Sequence, residues 1–249
     1  MSDTVKVKFD RNMEISDKSR KIKEIAADLG ADLCGIASPD LFNGAPKGHH
    51  PLDIYPDCKS VIVFAKRVPY GSIYAENSIP YTHANNVITQ LVDSLGLELC
   101  LFLEDLGINT VPIPSDDPSE YWEADKQYAR GILSLRHAGY FAGLGVMGKN
   151  TLLINEKYGN MIQLGAILVD VLLESDPIAN YEGCREKCSL CIDSCPQKAL
   201  DKTTVDQKLC RELSNFITER GFNLKKCNIC RTICPNCKNI KNLRANNVK

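Results

Sequence analysis

Cys184-Arg-Glu-Lys-Cys188-Ser-Leu-Cys191-Ile-Asp-Ser-Cys195-Pro196, followed later by Cys227-Asn-Ile-Cys230-Arg-Thr-Ile-Cys234-Pro235, decides what the last third of this chain can be. In each stretch a Cys-x-x-Cys pair leads, after three further residues, to Cys-Pro. Nine of the twelve cysteines fall between Cys184 and Cys237, whereas Cys34, Cys58 and Cys100 are scattered through the first part. Thiols gathered in this way in a reducing compartment bind metal in preference to forming disulfides.

The spacing nearly reproduces the ligand run of bacterial ferredoxins, in which the fourth cysteine serves the neighbouring 4Fe–4S cluster. Closely spaced thiolates wrap three corners of a cubane, and the fourth points away past a proline that breaks the local turn. The second stretch lacks a leading cysteine of its own, and Cys210 is the candidate to supply it. The expected sets are Cys184, Cys188, Cys191 and Cys234 for one cluster, and Cys195, Cys210, Cys227 and Cys230 for the other. Cys237 is left over as a bystander thiol. Two four-thiolate zinc sites would also use Cys-x-x-Cys pairs, but the further cysteine and the closing Cys-Pro in both stretches favour clusters. One extra residue between Cys184 and Cys188 departs from the usual run. Cys34, Cys58 and Cys100 sit in or beside apolar runs and read as core thiols.

Upstream, helix and strand signals alternate. Asp17 can cap a helix with Ile22, Ile25, Ala26 and Leu29 on one face and Gly30 just beyond it. Leu33–Ala37, Val61–Ala65 and Thr110–Ile113 have the look of short buried strands. Val87, Ile88, Leu91, Val92 and Leu95 open a long helix that should end at Gly107, with Gly96 as a weak point inside it. A further helix is expected from about Glu123 to Phe141, and Tyr121, Trp122 and Tyr128 read either as the lining of a flat-ligand pocket or, the favoured expectation, as one face of a helix packing on the sheet. Thr151–Ile154 and Met161–Val171 read as a hairpin around Glu156–Asn160. Asp206 to Arg220 reads as a helix with Leu209, Leu213, Phe216 and Ile217 on its apolar face. A composition shift at Asp176-Pro177 divides the chain into residues 1–175, a layered α/β domain, and 176–249, a ferredoxin-like double-cluster domain, giving an α+β chain overall.

At 249 residues, with 44% hydrophobic and 24% charged residues, the composition is that of an ordinary globular protein able to bury a large core. No run of ~18 apolar residues is present, and Met1 to Asp10 lacks a signal-peptide core. The expectation is a cytoplasmic protein without a membrane partner. The net charge of -1 conceals seven acids and no Lys or Arg from Glu104 to Asp125, against eight basic residues and no acid from Arg220 to Lys249. The bland interpretation is two solvated faces. The sharper one is a basic surface for an acidic redox donor or a phosphate backbone.

Ala142-Gly-Leu-Gly-Val-Met-Gly-Lys-Asn-Thr-Leu-Leu-Ile154, placed one domain upstream of the cysteine stretches, resembles a signature of the epoxyqueuosine reductase family, which is similar to the reductive dehalogenases. Asp32-Leu-Cys-Gly-Ile-Ala37 and Ser60-Val-Ile-Val63 fit the same pattern. The resemblance implies cobalamin in the first domain, reduced through the two clusters, with Gly145, Gly148, Lys149, Asn150, Thr151 and His137 near the cofactor. It also implies a small or nucleoside substrate, tRNA included, and a redox donor of ferredoxin or flavodoxin type. Ala129 stands where that family carries a catalytic aspartate, with Asp125 the nearest acid, and Met147 replaces a common aromatic residue. The chain runs only fifteen residues past Cys234, without the helical repeats of that family. These departures support an alternative expectation, an electron-transfer protein with two clusters and no cobalamin or substrate of its own.

Gly143-Leu-Gly145-Val-Met-Gly148 spells G-x-G-x-x-G but follows a helix and precedes a strand, the reverse of a dinucleotide site. It reads either as a tight turn or as backbone approaching the cofactor. His83 is a further lone histidine, and His49 and His50 are expected in solvent.

Overall fold

The computed structural model describes residues 13–126 and 128–237, so Met1 to Asp10 and the end of the basic run (Lys238, Lys241, Arg244 and Lys249) lie outside the described residues. Helix α1 (Ile15–Asp28) buries Ile22, Ile25 and Ala26 and gives way to Gly30 at φ +98°. It begins two residues before Asp17, which lies in the first turn and pairs with Arg20 at 2.8 Å instead of capping. After it come β1 (Leu33–Ala37), the short α2 (Pro51–Ile54), β2 (Ser60–Arg67), α3 (Ile79–Asp105) and β3 (Thr110–Ile113). Next are β4 (Tyr121–Glu123), β5 (Tyr128–Arg130), α4 (Leu135–Phe141), β6 (Val146–Met147), β7 (Leu153–Ile154) and β8 (Ile162–Val169). The cysteine-rich end holds α5 (Leu190–Asp193), α6 (Gln207–Ser214), β9 (Asn215–Ile217), β10 (Asn223–Lys225) and α7 (Ile229–Thr232).

The main sheet runs β1-β2-β8-β3, with every pair antiparallel. Alternation along its strands feeds two cores. Ile36, Ile62, Phe64, Ile167 and Val169 face α1 and α3, while Ala37, Val61, Val63, Ala65, Ala166 and Leu168 face α4 and the β6–β7 ribbon. With helices on one face and a helix plus ribbon on the other, β2 and β8 are buried on both sides. That is why their sequences are continuous apolar runs. Helix α3 continues through Gly96, whose missing side chain leaves room for the Phe64 ring, 3.1 Å from where a Cβ would sit. Among the described residues α3 is the one helix long and apolar enough to cross a membrane. Here it packs on β8 and β3 and sinks Val92, Leu95, Leu99 and Leu103 into the core.

Three expected elements form differently. The helix from Glu123 to Phe141 is helical only from Leu135. Before it, β4 and β5 make a two-stranded ribbon in which Arg130 lies over the rings of Tyr121 (4.7 Å) and Tyr128 (5.5 Å). Tyr121, Trp122 and Tyr128 are therefore ribbon residues, not a helix face. The second helix stops at Ser214, and Phe216 belongs to the β9–β10 hairpin, where Lys226 covers its ring. Residues 151–154 do not pair with β8. Leu153 and Ile154 join β6, and β8 instead pairs with β2 and β3.

Candidate cluster sites and the adjoining cavity

The chain leaves the sheet at Asp176, whose carboxylate accepts hydrogen bonds from Lys23 Nζ and the Ile36 amide. It then runs extended into the cysteine stretches. Helices α5, α6 and α7 carry Cys191, Cys210 and Cys230, and the β9–β10 hairpin returns the chain from the second to the third. All twelve thiols are free. Burial, the largest cause, pushes the thiols of Cys191, Cys210 and Cys234 above their ordinary range and that of Cys230 up to about 11.

The further causes group the thiols. Cys191 is raised by Cys184 and Cys188, and Cys234 by Cys184 and Cys191. Cys210 is raised by Cys227 and Cys195, and Cys230 by Cys210 and Cys227. The couplings overlap where α5 packs on α7: Cys191 also acts on Cys230, and Cys237 on Cys234. Among the described residues no three Cys, His, Asp or Glu side chains converge as ligands of a single metal ion. Buried thiols whose charges oppose one another suit a cationic core shared by four sulfurs. Cys237 is buried 3.9 Å from the Tyr74 hydroxyl. Cys58 and Cys100 are core residues and Cys34 packs against the core; burial lifts Cys58 to about 11, Cys34 to about 12 and Cys100 above the ordinary thiol range.

The loop between β6 and β7 joins both cysteine stretches to the part of the chain that carries the main sheet. Lys149 Nζ donates to the carbonyls of Arg185, Glu186 and Cys188 at 3.1, 2.6 and 3.0 Å, and its amide donates to Cys184 Sγ at 3.4 Å. Asn150 Nδ2 donates to the Cys230 carbonyl at 2.9 Å. Thr151, at φ +62°, accepts from Arg136 Nη1 through its carbonyl and through its hydroxyl, the latter at 2.8 Å.

Beside this loop opens a cavity of about 740 Å³, in the upper part of the ~300–1,000 Å³ range of small-molecule sites. Its walls come from the loop after Phe42, from Tyr128 to His137, from Thr151–Leu153, from the start of β8, and from Val205, Gln207 and Arg231 of the cysteine-rich part. Arg130, Arg136 and Arg231 line it against a single carboxylate, Asp116, which favours an anionic ligand group. Asn160, 1% exposed, lines it too, and its Oδ1 is a buried acceptor without a hydrogen-bond partner. A ligand carrying amide donors and a phosphate would match those groups. His137 Nδ1 lies 2.7 Å from Ser134 Oγ; burial first, and Arg136 second, hold its pKa below the ordinary imidazole value. Gln207 brackets the Ala129 backbone with bonds of 3.2 and 3.0 Å, tying the cavity rim to α6.

Of the residues expected near a cofactor, His137 and Thr151 line the cavity, whereas Gly145, Gly148, Lys149 and Asn150 do not. Lys149 and Asn150 reach the cysteine stretches instead. Gly145 and Gly148 give space to the Ile154 carbonyl and to Asn150 Oδ1 and the Leu152 carbonyl. Gly143 alone of the three signature glycines has positive φ, +72°, under the Pro177 carbonyl. The G-x-G-x-x-G segment is therefore a packed turn. His83 is exposed on α3, and Asp125 is exposed, its carbonyl accepting from Lys208 Nζ. His49 and His50 are half-buried, not in solvent. His49 Nδ1 lies 3.0 Å from the Gly131 carbonyl at the cavity, and His50 caps α2. Sequence reasoning missed Arg130, Arg136, Arg231 and Asn160. They are scattered singly along the chain, and only the fold brings them together.

No family model matches the chain. It is similar to an epoxyqueuosine reductase of Leadbetterella byssophila, 27% identical over 263 residues that make up 88% of this chain and 80% of that one. Among solved structures it resembles an epoxyqueuosine reductase with an epoxyqueuosine-modified tRNA-Tyr stem loop (TM-score 0.61, 20% identity, 90% of this chain and 66% of that one). It also resembles a reductive dehalogenase whose structure suggests a mechanism for B12-dependent dehalogenation (TM-score 0.67, 17% identity, 96% of this chain). The chain spans only 35% of that dehalogenase.

Proposed function

We propose that this chain, a member of the epoxyqueuosine reductase-like family, is an iron–sulfur oxidoreductase that passes single electrons through two 4Fe–4S clusters to cobalamin in the cavity. The observation that supports this reading is the gathering of the eight thiols of both Cys-Pro stretches and α6 around α5 and α7, beside a cavity walled by both parts of the chain. Cys184, Cys188, Cys191 and Cys234 hold one cluster, and Cys195, Cys210, Cys227 and Cys230 hold the other. Zinc is disfavoured because a further cysteine, closing with Cys-Pro, follows each Cys-x-x-Cys pair.

When bound, the clusters supply one-electron relays and the corrin a low-potential metal centre. The chain's own residues bind and insulate. Arg130, Arg136 and Arg231 meet anionic groups of cofactor or substrate, Asn160 Oδ1 accepts from an amide, and the Gln207–Ala129 bonds close the rim against water. A nucleoside or tRNA substrate is supported by the modified tRNA stem loop held by one structural relative and suits the guanidiniums. The β9–β10 hairpin, with Lys225 and Lys226 beside Cys227, would receive an acidic donor of ferredoxin or flavodoxin type. Relatives that act on substrates of their own favour this reading over a carrier without one.

The test is an electron paramagnetic resonance spectrum of the reconstituted protein with cob(II)alamin. A Co(II) signal displaced from that of the free cofactor supports the reading, and an unchanged signal beside intact clusters refutes it.

A further inference from the structure

Lys149 and Asn150 are adjacent, yet their side chains serve different halves of the cysteine-rich part. A lysine ammonium has three donors, and here each has a backbone carbonyl of the first stretch, those of Arg185, Glu186 and Cys188. The same residue's amide points at Cys184 Sγ. Lys149 thus brings a full positive charge and an N–H···S contact to the loop that carries Cys184 and Cys188. Asn150, 3% exposed, brings no charge. Its Nδ2 holds the Cys230 carbonyl at 2.9 Å, while its Oδ1 is kept in place by the Leu152 amide at 3.2 Å.

We infer that Lys149 and Asn150 are positioning residues that set the two clusters separately, Lys149 the one held by Cys184, Cys188, Cys191 and Cys234, and Asn150 the one held by Cys195, Cys210, Cys227 and Cys230. This rests on the cluster reading above and assigns neither residue to the cavity. Hydrogen bonds and charge around the sulfurs set a cluster's reduction potential, and groups that orient the ligands tune the metal almost as the ligands do. Removing the ammonium takes away a charge that favours the reduced, more negative cluster, so that cluster's potential should fall. Removing the Asn150 amide frees the Cys230 backbone and should disturb only the other cluster.

The experiment is an anaerobic redox titration followed by electron paramagnetic resonance, with iron and sulfide assays, on the full chain and its Lys149→Met, Lys149→Arg and Asn150→Ala variants. Lys149→Met should move one of the two cluster signals to more negative potential and leave the other in place. Lys149→Arg, which keeps the charge, should restore most of that shift. Asn150→Ala should move or weaken the signal that Lys149→Met leaves alone. Where a substitution costs a cluster outright, loss of one signal with retention of the other is the same result read as occupancy. Unmoved signals in both variants, or equal shifts of both clusters in each, would overturn the inference while leaving the cluster reading intact. A wild-type protein without iron and sulfide would overturn both.

Discussion

His137 carries the clearest pH signature in the cavity. Partial desolvation first, and Arg136 second, hold the pKa of this largely exposed ring below the ordinary imidazole value, about 6.5, so the neutral form predominates at pH 7. As pH falls, the unfolded chain takes up this proton before the folded one. The stability that His137 contributes is complete above about 6.5 and is lost as pH drops through the folded pKa. Urea midpoints at pH 7.5 and 5.5 should therefore separate more in the wild-type protein than in His137→Gln, and an equal separation would contradict the assignment. Among the thiols, the proposed division gives Cys191 to the first cluster and Cys237 to neither. Cys191→Ser should lower bound iron by about half, and Cys237→Ser should leave it unchanged, as read by iron assay. The ligand thiols were legible because spacing alone restricts how chain can wrap a cubane. The direction of Lys149 was not, since a long flexible side chain takes its partners from whatever the fold brings near, here residues more than thirty positions away.

Among the elements, the contact between α4 and β1 is the least tolerant. Gly35 lies where a Cβ would come within 2.2 Å of the Ala142 carbonyl at the end of α4. That approach gives a physical reason for glycine in Asp32-Leu-Cys-Gly-Ile-Ala37. Because the obstacle is backbone, Gly35→Ala should destabilise the protein by about 1–3 kcal/mol or more. Leu99, fully buried where α3 meets the sheet, should cost about 2–5 kcal/mol when cut to alanine. Denaturant unfolding measures both. β1 and β3 were readable to the residue because short apolar runs bounded by turn residues leave little choice. The stretch from Glu123 to Phe141 was misread because its aromatic residues suit a helix period equally well. The stacking of Arg130 on Tyr121 and Tyr128, a tertiary effect, makes it a ribbon. Likewise Phe216 and Ile217 continued the apolar pattern of α6, yet they sit 45% and 71% exposed on a hairpin that turns the chain back toward Cys227.

For the whole molecule, the two cores and the cysteine-rich part are interlocked. Cys234 and Cys237 join the core built on α1 and α3, Asn236 Nδ2 donates to the Gly183 carbonyl, and Arg231 Nη1 donates to the Asn160 carbonyl next to the cavity. Metal loading and folding should therefore be coupled. The order β1-β2-β8-β3 could not be read in advance, because β8 reaches across the sequence to strands far before it. The cavity shares that difficulty, since its walls come from seven separate stretches. The most direct test of the account is a metal and acid-labile sulfide analysis of the protein purified without oxygen. Two 4Fe–4S clusters predict about eight irons and eight sulfides per chain with negligible zinc. Stoichiometric zinc without sulfide, or iron enough for only one cluster, would contradict the division of the thiols on which everything else rests.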